Sequence, residues 1–256
     1  MTESGFFSSV AEWFADPLHW QGPAGVPERL LEHVQLSAAA VLVAAVIALP
    51  LGLYIGHTRR FAFLAVSVTN MGRAIPSFGL LFLFFLVFGL GLRYPLWLRP
   101  AIVLPLILLA IPPILTNAYV GIQQVDPDTL EAGRGMGMTE RRLLLGVEVP
   151  LASPLILAGL RTAAVQVVAT ATLAAVLGGG GLGRFILDGF ALGQSPRGRA
   201  QVFAGAILVA LLAILTEVAF ALVGRWITPR TASRARGMPF QDAAQLEGLG
   251  GEAAGP

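Results

Sequence analysis

Residues 131–150 read EAGRGMGMTERRLLLGVEVP, a polar, arginine-bearing stretch between two long apolar runs. The whole chain is 55% hydrophobic and only 12% charged. A soluble domain carries about a quarter charged residues, so this composition indicates a protein whose solvent is a lipid bilayer. An ordered polar loop inside such a chain is expected to dock onto a partner, and that partner decides what the protein does.

The composition excludes several classes of function. All 17 basic residues are arginine, they form no basic run, and the net charge is only +2, so no nucleic-acid partner is expected. The absence of cysteine excludes disulfides and thiolate metal sites. His19, His33 and His57 lie far apart along the chain and have no ligand spacing, so no metal site is expected.

A glycine-rich segment follows the fourth apolar run. Gly178, Gly180 and Gly183 satisfy the pattern G-x-G-x-x-G, but no strand precedes them, so a dinucleotide site is not expected. A phosphate loop would need a lysine, and the chain has none. The sequence therefore predicts that this chain does not hydrolyse ATP, is not an enzyme and binds no cofactor. It predicts a flexible re-entrant turn at this segment, and a direct ligand contact is the alternative.

Membrane spans need about 20 apolar residues, and apolar runs fall at 34–56, 61–91, 100–124, 150–177 and 201–224. They predict an all-α membrane protein with about five transmembrane helices. The organisation expected is an extracytoplasmic segment over 1–33, a membrane domain over 34–225 that includes a loop over 126–150, and a disordered cytoplasmic tail over 226–256.

The N-terminal segment has no signal-peptide pattern. Its aromatic residues, Trp13, Phe14 and Trp20, favour the headgroup level of the membrane. An interfacial aromatic segment is the expected structure.

Arginine clusters give the orientation. Arginines beside the ends of spans favour the cytoplasmic side of the membrane. In this chain they lie after the first apolar run, in the central loop and in the tail: Arg59, Arg60, Arg134, Arg141, Arg142, Arg225, Arg230, Arg234 and Arg236. The expected topology has the N-terminus outside and the C-terminus in the cytoplasm.

Prolines predict weak points in two spans. The second run would be about 46 Å long as one helix, and Pro76 removes a backbone donor and disfavours helix at Ile75. A break is expected there, with helical pieces near 61–73 and 77–90. Three further prolines are expected to weaken the third span: Pro105, Pro112 and Pro113.

The central loop carries helix signals of its own. Asp126 and Pro127 are typical of a helix start, which predicts a short helix to about Arg134. Gly135 and Gly137 then allow a tight turn, and Thr139 caps a second short helix. The resulting helix–turn–helix would lie parallel to the membrane, with Ala132 and Gly133 exposed and Pro150 starting the next span.

The residue pattern of this loop resembles the EAA loop of ABC-importer permeases. The family pattern is Glu-Ala-Ala, three residues, Gly, nine residues, Ile-x-Leu-Pro, and the spacing agrees at every position. The matching residues are Glu131, Ala132, Gly133, Gly137, Val147, Val149 and Pro150. Gly133 departs from the second Ala, Val147 from Ile and Val149 from Leu. The resemblance implies that these residues couple the permease to an ATPase subunit.

Two segments resemble the glycine betaine, carnitine and choline type of this family. They are Arg73-Ala74-Ile75-Pro76-Ser77-Phe78 and the glycine-rich residues 177–186. The resemblance implies import of an osmoprotectant, and import of methionine, another amino acid or another small solute is the alternative. A secondary transporter that needs no ATPase is a second class of function.

The resemblance also implies a set of partners in the cytoplasmic (inner) membrane of a prokaryote. These are a cytoplasmic subunit that uses ATP and Mg²⁺, a second permease copy or a paralogue, an extracytoplasmic substrate-binding protein, and membrane lipid.

Ionisable groups inside spans are functional candidates because their burial is costly. Arg161 and Glu217 lie at comparable depth in the fourth and fifth spans, and we predict that they can pair. The further pathway or gating candidates are Arg73, Pro76, Ser77, Gly180 and Gly183. Arg73 is expected to support the helix break, since an exposed arginine would repel a cationic solute.

Overall fold

A computed structural model of the protein describes residues 3–63, 67, 70, 76–89, 93–95 and 98–227. Helices account for its regular structure, and no strand occurs among the described residues, so the all-α prediction is confirmed. The α-helices are α1 (Glu3–Ala15), α2 (Val26–Thr58), α3 (Ser77–Phe88), α4 (Pro100–Gln123), α5 (Pro127–Gly135), α6 (Glu140–Leu143), α7 (Val149–Ala171), α8 (Gly183–Ala191) and α9 (Pro196–Ile227).

Four continuous helical stretches of the described chain are long and apolar enough to cross a membrane. They are Val26–Thr58, Pro100–Gln123, Glu140–Leu177 and Pro196–Trp226, and α3 is a shorter apolar helix. The first span begins before the predicted residue 34, because α2 starts at Val26 after the N-cap Gly25 and carries Pro27 in its first turn, where proline favours a helix start. The predicted piece near 61–73 falls largely on residues outside the described part, and so does the predicted disordered tail beyond residue 227.

The core is built by α2, α4 and α7. Helix α2 presents a small residue at every fourth position, and Ala40, Ala44 and Ala48 are fully buried. Farther along this face, a Cβ on Gly52 would lie 2.8 Å from Ala118 Cβ on α4. Small residues on one face let two helix backbones approach closely, which is a common packing solution in membranes.

Prolines have different effects in the two spans where they were expected to matter. Pro76 is the N-cap of α3, in an extended conformation, and the helix begins at Ser77, so the predicted break before α3 is confirmed. Helix α4 instead runs without interruption through Pro105, Pro112 and Pro113. The predicted weakness of that span is wrong, because α4 is packed between α2 and α7 and its unpaired backbone groups are covered by protein.

The N-terminal segment is a helix that packs on the membrane domain. Val10 and Trp13 of α1 are buried against α8 and α9, with the Trp13 and Phe185 ring centroids 5.3 Å apart. The prediction of a simple interfacial aromatic segment is corrected here, because Trp13 contributes to a second core cluster.

Candidate functional site

The 126–150 hairpin begins with the predicted helix. Asp126 caps α5, its Oδ1 accepting a hydrogen bond from the Asp128 N–H at 2.9 Å. The helix ends at Gly135, and Gly137 turns the chain with φ +80°. A left-handed φ suits glycine, so the predicted turn is confirmed at Gly137. Gly135 is the last residue of α5 and has no positive φ.

The second arm of the hairpin continues into the membrane. Thr139 caps α6 by accepting from the Arg142 N–H, as predicted, but the chain then passes through a π-helical turn (Leu144–Glu148) directly into α7. The Val149 N–H donates to Leu144 O, five residues back. A proline ring clashes with the carbonyl four residues earlier in an α-helix, and this wider turn accommodates Pro150. The predicted second short helix therefore forms as α6, and it continues into α7 instead of ending before the span.

Apolar residues close the interior of the hairpin. Val125, Leu130 and Leu143 are buried together, with Met138 and Val147 packed against them. Gly133 lies inside as well: a Cβ there would lie 2.6 Å from Leu143 Cδ1. The prediction that Gly133 is exposed for close approach to a partner is wrong, because the two arms use its missing side chain to approach each other.

The outer face of the hairpin is open. Glu131 and Ala132 are exposed, and the Glu131 carboxylate has no hydrogen bond or ion pair within the described chain. Met136 and Leu145 are exposed apolar side chains of the same hairpin. An unpaired carboxylate beside exposed apolar side chains is a surface suited to binding a protein.

A chain of hydrogen-bonding and ionisable groups joins the hairpin to the first span. His57, near the end of α2, donates through Nδ1 to Glu148 Oε2 at 2.6 Å. Its Nε2 lies 3.4 Å from Glu140 Oε2, and Glu140 in turn accepts from Arg134 Nε at 2.9 Å. The hydrogen bond with Glu140 and the charge of that carboxylate raise the pKa of Arg134 above its ordinary value, so the guanidinium stays charged.

His57 and Glu148 are the site residues that the sequence did not reveal. Glu148 is only 2% exposed, and His57 is its only hydrogen-bond partner among the described residues. Metal-ligand spacing concerns residues that lie close together in the sequence. His57 and Glu148 lie far apart along the chain, so this pattern does not connect them. The one available signal was Glu148 itself, a carboxylate between Val147 and Val149 in a run where apolar residues prevail.

Arg161 and Glu217 form an ion pair between α7 and α9, so the predicted pairing is confirmed. Pro76 and Ser77 mark the start of α3. Arg73 lies outside the described residues.

The glycine-rich segment is held by the first span. The Glu32 carboxylate accepts from the Gly181 N–H at 2.7 Å, and His33 Nδ1 accepts from the Leu182 N–H at 3.2 Å. His33 Nε2 also contacts Val168 O at 2.9 Å. A Cβ on Gly180 would overlap the Glu32 carboxylate. The turn that was predicted to be flexible is therefore a loop held in place by hydrogen bonds with Glu32 and His33.

Comparisons with known proteins agree on one family. A model of the family described as "Binding-protein-dependent transport system inner membrane component" matches residues 48–229. The chain is 38% identical to the carnitine transport permease protein OpuCD of Listeria monocytogenes over 204 residues, 80% of this chain and 87% of that protein. It is 36% identical to the choline transport system permease protein OpuBB of Bacillus subtilis, over 80% of this chain and 90% of that one.

A solved structure supports the fold independently. An inward-facing structure of the MetNI methionine ABC transporter matches with a TM-score of 0.69 at 22% identity, covering 84% of this chain and 99% of that chain. At this identity the likeness concerns the fold.

Proposed function

Because this chain belongs to the family of binding-protein-dependent transport system inner membrane components, and is the multi-pass permease of a prokaryotic ABC importer, we propose that it carries a small osmoprotectant. The observation that carries this proposal is the set of relatives at 35–38% identity, which are named for carnitine, choline and glycine betaine transport. Methionine, for which the solved structural neighbour is named, is the alternative cargo.

We propose that the 126–150 hairpin docks on a cytoplasmic ATP-hydrolysing subunit. Glu131 and Ala132 would make the contact, since they are exposed and the Glu131 carboxylate forms no hydrogen bond or ion pair within the described chain. Gly133, Gly137 and Val147 would shape the hairpin. Val149 and Pro150 would set the point where it joins α7. ATP and Mg²⁺ would be bound by the partner, and this chain would supply the moving surface.

The proposed assembly contains a second permease copy or a paralogue and an extracytoplasmic binding protein that delivers the cargo. Arg161 and Glu217 would stabilise the packing of α7 on α9 during switching. Because that ion pair neutralises the Glu217 carboxylate, it gives no support to a proton-driven secondary transporter.

Co-purification and uptake test the coupling proposal. Glu131→Ala should weaken recovery of the ATPase subunit with the permease and reduce ATP-dependent uptake, while the permease still inserts in the membrane. The matched control is Glu28→Ala, an exposed glutamate in the first turn of α2 at the opposite end of that helix from His57. Uptake that continues without any ATPase would overturn the importer mechanism.

The cargo is tested separately. Uptake of glycine betaine, choline, carnitine and methionine should be measured in proteoliposomes that contain the full transporter and its cognate binding protein. Uptake of the three quaternary ammonium compounds, and no uptake of methionine, is the expected result. The reverse pattern would overturn the osmoprotectant proposal and leave the coupling proposal standing.

A further inference from the structure

We propose that a face of α7 made of small and polar residues, Ala158, Thr162, Gln166 and Ala169, lines the water-filled transport pathway, and that the Gln166 amide contacts the passing cargo. This inference rests on the proposed transport function and names a binding position within it. The ligand class is a small charged solute that carries a carboxylate or hydroxyl group able to hydrogen-bond with an amide.

The face follows from helix geometry. Residues three or four apart lie on one side of an α-helix, and all four members of the face are exposed. The opposite side of the same helix belongs to the core, where Ala163, Val167 and Ala171 are buried. Helix α7 therefore has one packed side and one open side made of small and polar residues.

Hydrogen bonding singles out Gln166. Thr162 Oγ1 donates to Ala158 O at 2.9 Å, so its hydroxyl is satisfied within its own helix. The Gln166 side chain has no hydrogen bond in the part of the chain that the structure describes. An unsatisfied polar group in hydrocarbon costs several kcal/mol, so this amide is not suited to face lipid.

The ion pair between α7 and α9 fixes the depth of Gln166. Gln166 lies five residues beyond Arg161, about 7.5 Å farther along α7, and about 25 Å from Val149 where the helix begins. Since Arg161 contacts Glu217 on α9, positions of equal depth can be found on α9. Gln166 is thus inside the apolar helical stretch Glu140–Leu177, five residues before Ala171, where α7 ends.

The open side of α9 has the opposite character. At the depth of Gln166 it carries Leu211, which is 50% exposed, and farther along Ile214, Leu215 and Val218 are also exposed. These side chains suit lipid. The two exposed faces lie at one depth but differ in polarity. The apolar face of α9 is therefore assigned to lipid, and the face of α7 that carries Gln166 is assigned to water.

The chemistry of the face fits a charged cargo. The amide offers two N–H donors and a carbonyl acceptor without a net charge, so it can bind a carboxylate or hydroxyl briefly without trapping a cation or an anion. Ala158 and Ala169 flank it with small side chains and leave room for a solute. A leucine at this position would remove both hydrogen-bonding roles.

The absence of cysteine makes a direct test possible. Gln166→Cys and the depth-matched control Leu211→Cys are made in the otherwise cysteine-free chain, each assembled with its ATPase and binding protein in proteoliposomes. The probe is 2-(trimethylammonium)ethyl methanethiosulfonate, a membrane-impermeant quaternary ammonium reagent. A thiol reacts as the thiolate, and charge is disfavoured in hydrocarbon. The Gln166→Cys variant should therefore react roughly a hundredfold faster than the Leu211→Cys variant and lose uptake.

Equal and slow modification of the two variants would overturn the assignment. So would oxidative cross-linking between two Gln166→Cys permease copies without reaction with the reagent, since that indicates a dry subunit contact. Gln166→Asn and Gln166→Leu supply a second measurement: the asparagine variant should retain uptake and the leucine variant should lose at least about tenfold. Because the reactivity test needs no knowledge of the cargo, it stands even if the osmoprotectant proposal fails.

Discussion

Removing the imidazole of His57 should detach the hairpin from the first span. In the native structure His57 is the hydrogen-bond partner of the buried Glu148 carboxylate, at 2.6 Å. Deleting the hydrogen-bond partner of a buried polar group leaves that group unsatisfied, which costs about 1–3 kcal/mol. In a chain of this size about 1 kcal/mol corresponds to about 2–4 °C of melting temperature. His57→Ala should therefore lower the melting temperature by roughly 2–12 °C.

A double-mutant cycle tests the origin of that loss. Glu148→Gln removes the charge, so His57→Ala in the Glu148→Gln background should cost much less than in the native chain. His57→Gln retains an N–H donor and should rescue part of the stability. Thr58→Ala is the matched control, since Thr58 Oγ1 donates to Tyr54 O within its own helix and should change little.

Tryptophan fluorescence of the purified, assembled transporter gives the melting temperature, and uptake per ATP hydrolysed gives the coupling. His57→Ala should reduce uptake more than ATP hydrolysis, because the hairpin would move without moving α2. Losses from His57→Ala and Glu148→Gln that add within about 0.5 kcal/mol would refute the reasoning, since independent sites add and contacting ones do not.

Three further substitutions probe other parts of the molecule. Gly137→Ala places a side chain at φ +80°, so it should lower the free energy of unfolding by about 1–2 kcal/mol and weaken ATPase binding in a co-purification assay. Its control is Gly135→Ala, in α5 with open space around it, which should be neutral or stabilising by up to about 1 kcal/mol. Equal effects of the two substitutions would contradict the turn geometry. Gly183→Ala would overlap a backbone carbonyl of the 172–177 segment, so membrane yield and uptake should both fall, and a fully active variant would show that this loop can shift. Replacing Arg161 by Gln should cost less in uptake and thermal stability when Glu217→Gln is already present, and strictly additive losses would show that the pair contributes nothing.

Local signals in the sequence were sufficient for the hairpin. Asp126, Thr139 and Gly137 act within a few residues of chain, through caps and a left-handed turn, and each lies where its type predicts. Pro76 likewise acts on its own neighbours, and α3 starts directly after it.

The errors arose where distant segments meet. Three prolines in α4 looked like a weakness, but burial between two helices keeps that span continuous. Gly133 looked like a contact for a partner, yet the packing of Leu143 uses its space. The glycine-rich loop looked flexible, but Glu32 and the rest of the first span lie beside it and hold it.

The sequence by itself determined that the chain is an all-α membrane protein with a helical hairpin between two spans, because composition, run length and capping are properties of neighbouring residues. Only the tertiary structure decided that His57 is paired with Glu148 and that Gln166 faces outward from the packed helices. The physical reason is that a membrane helix is apolar on nearly every side, so its sequence carries little information about which face meets protein, lipid or water. Helix packing makes that choice.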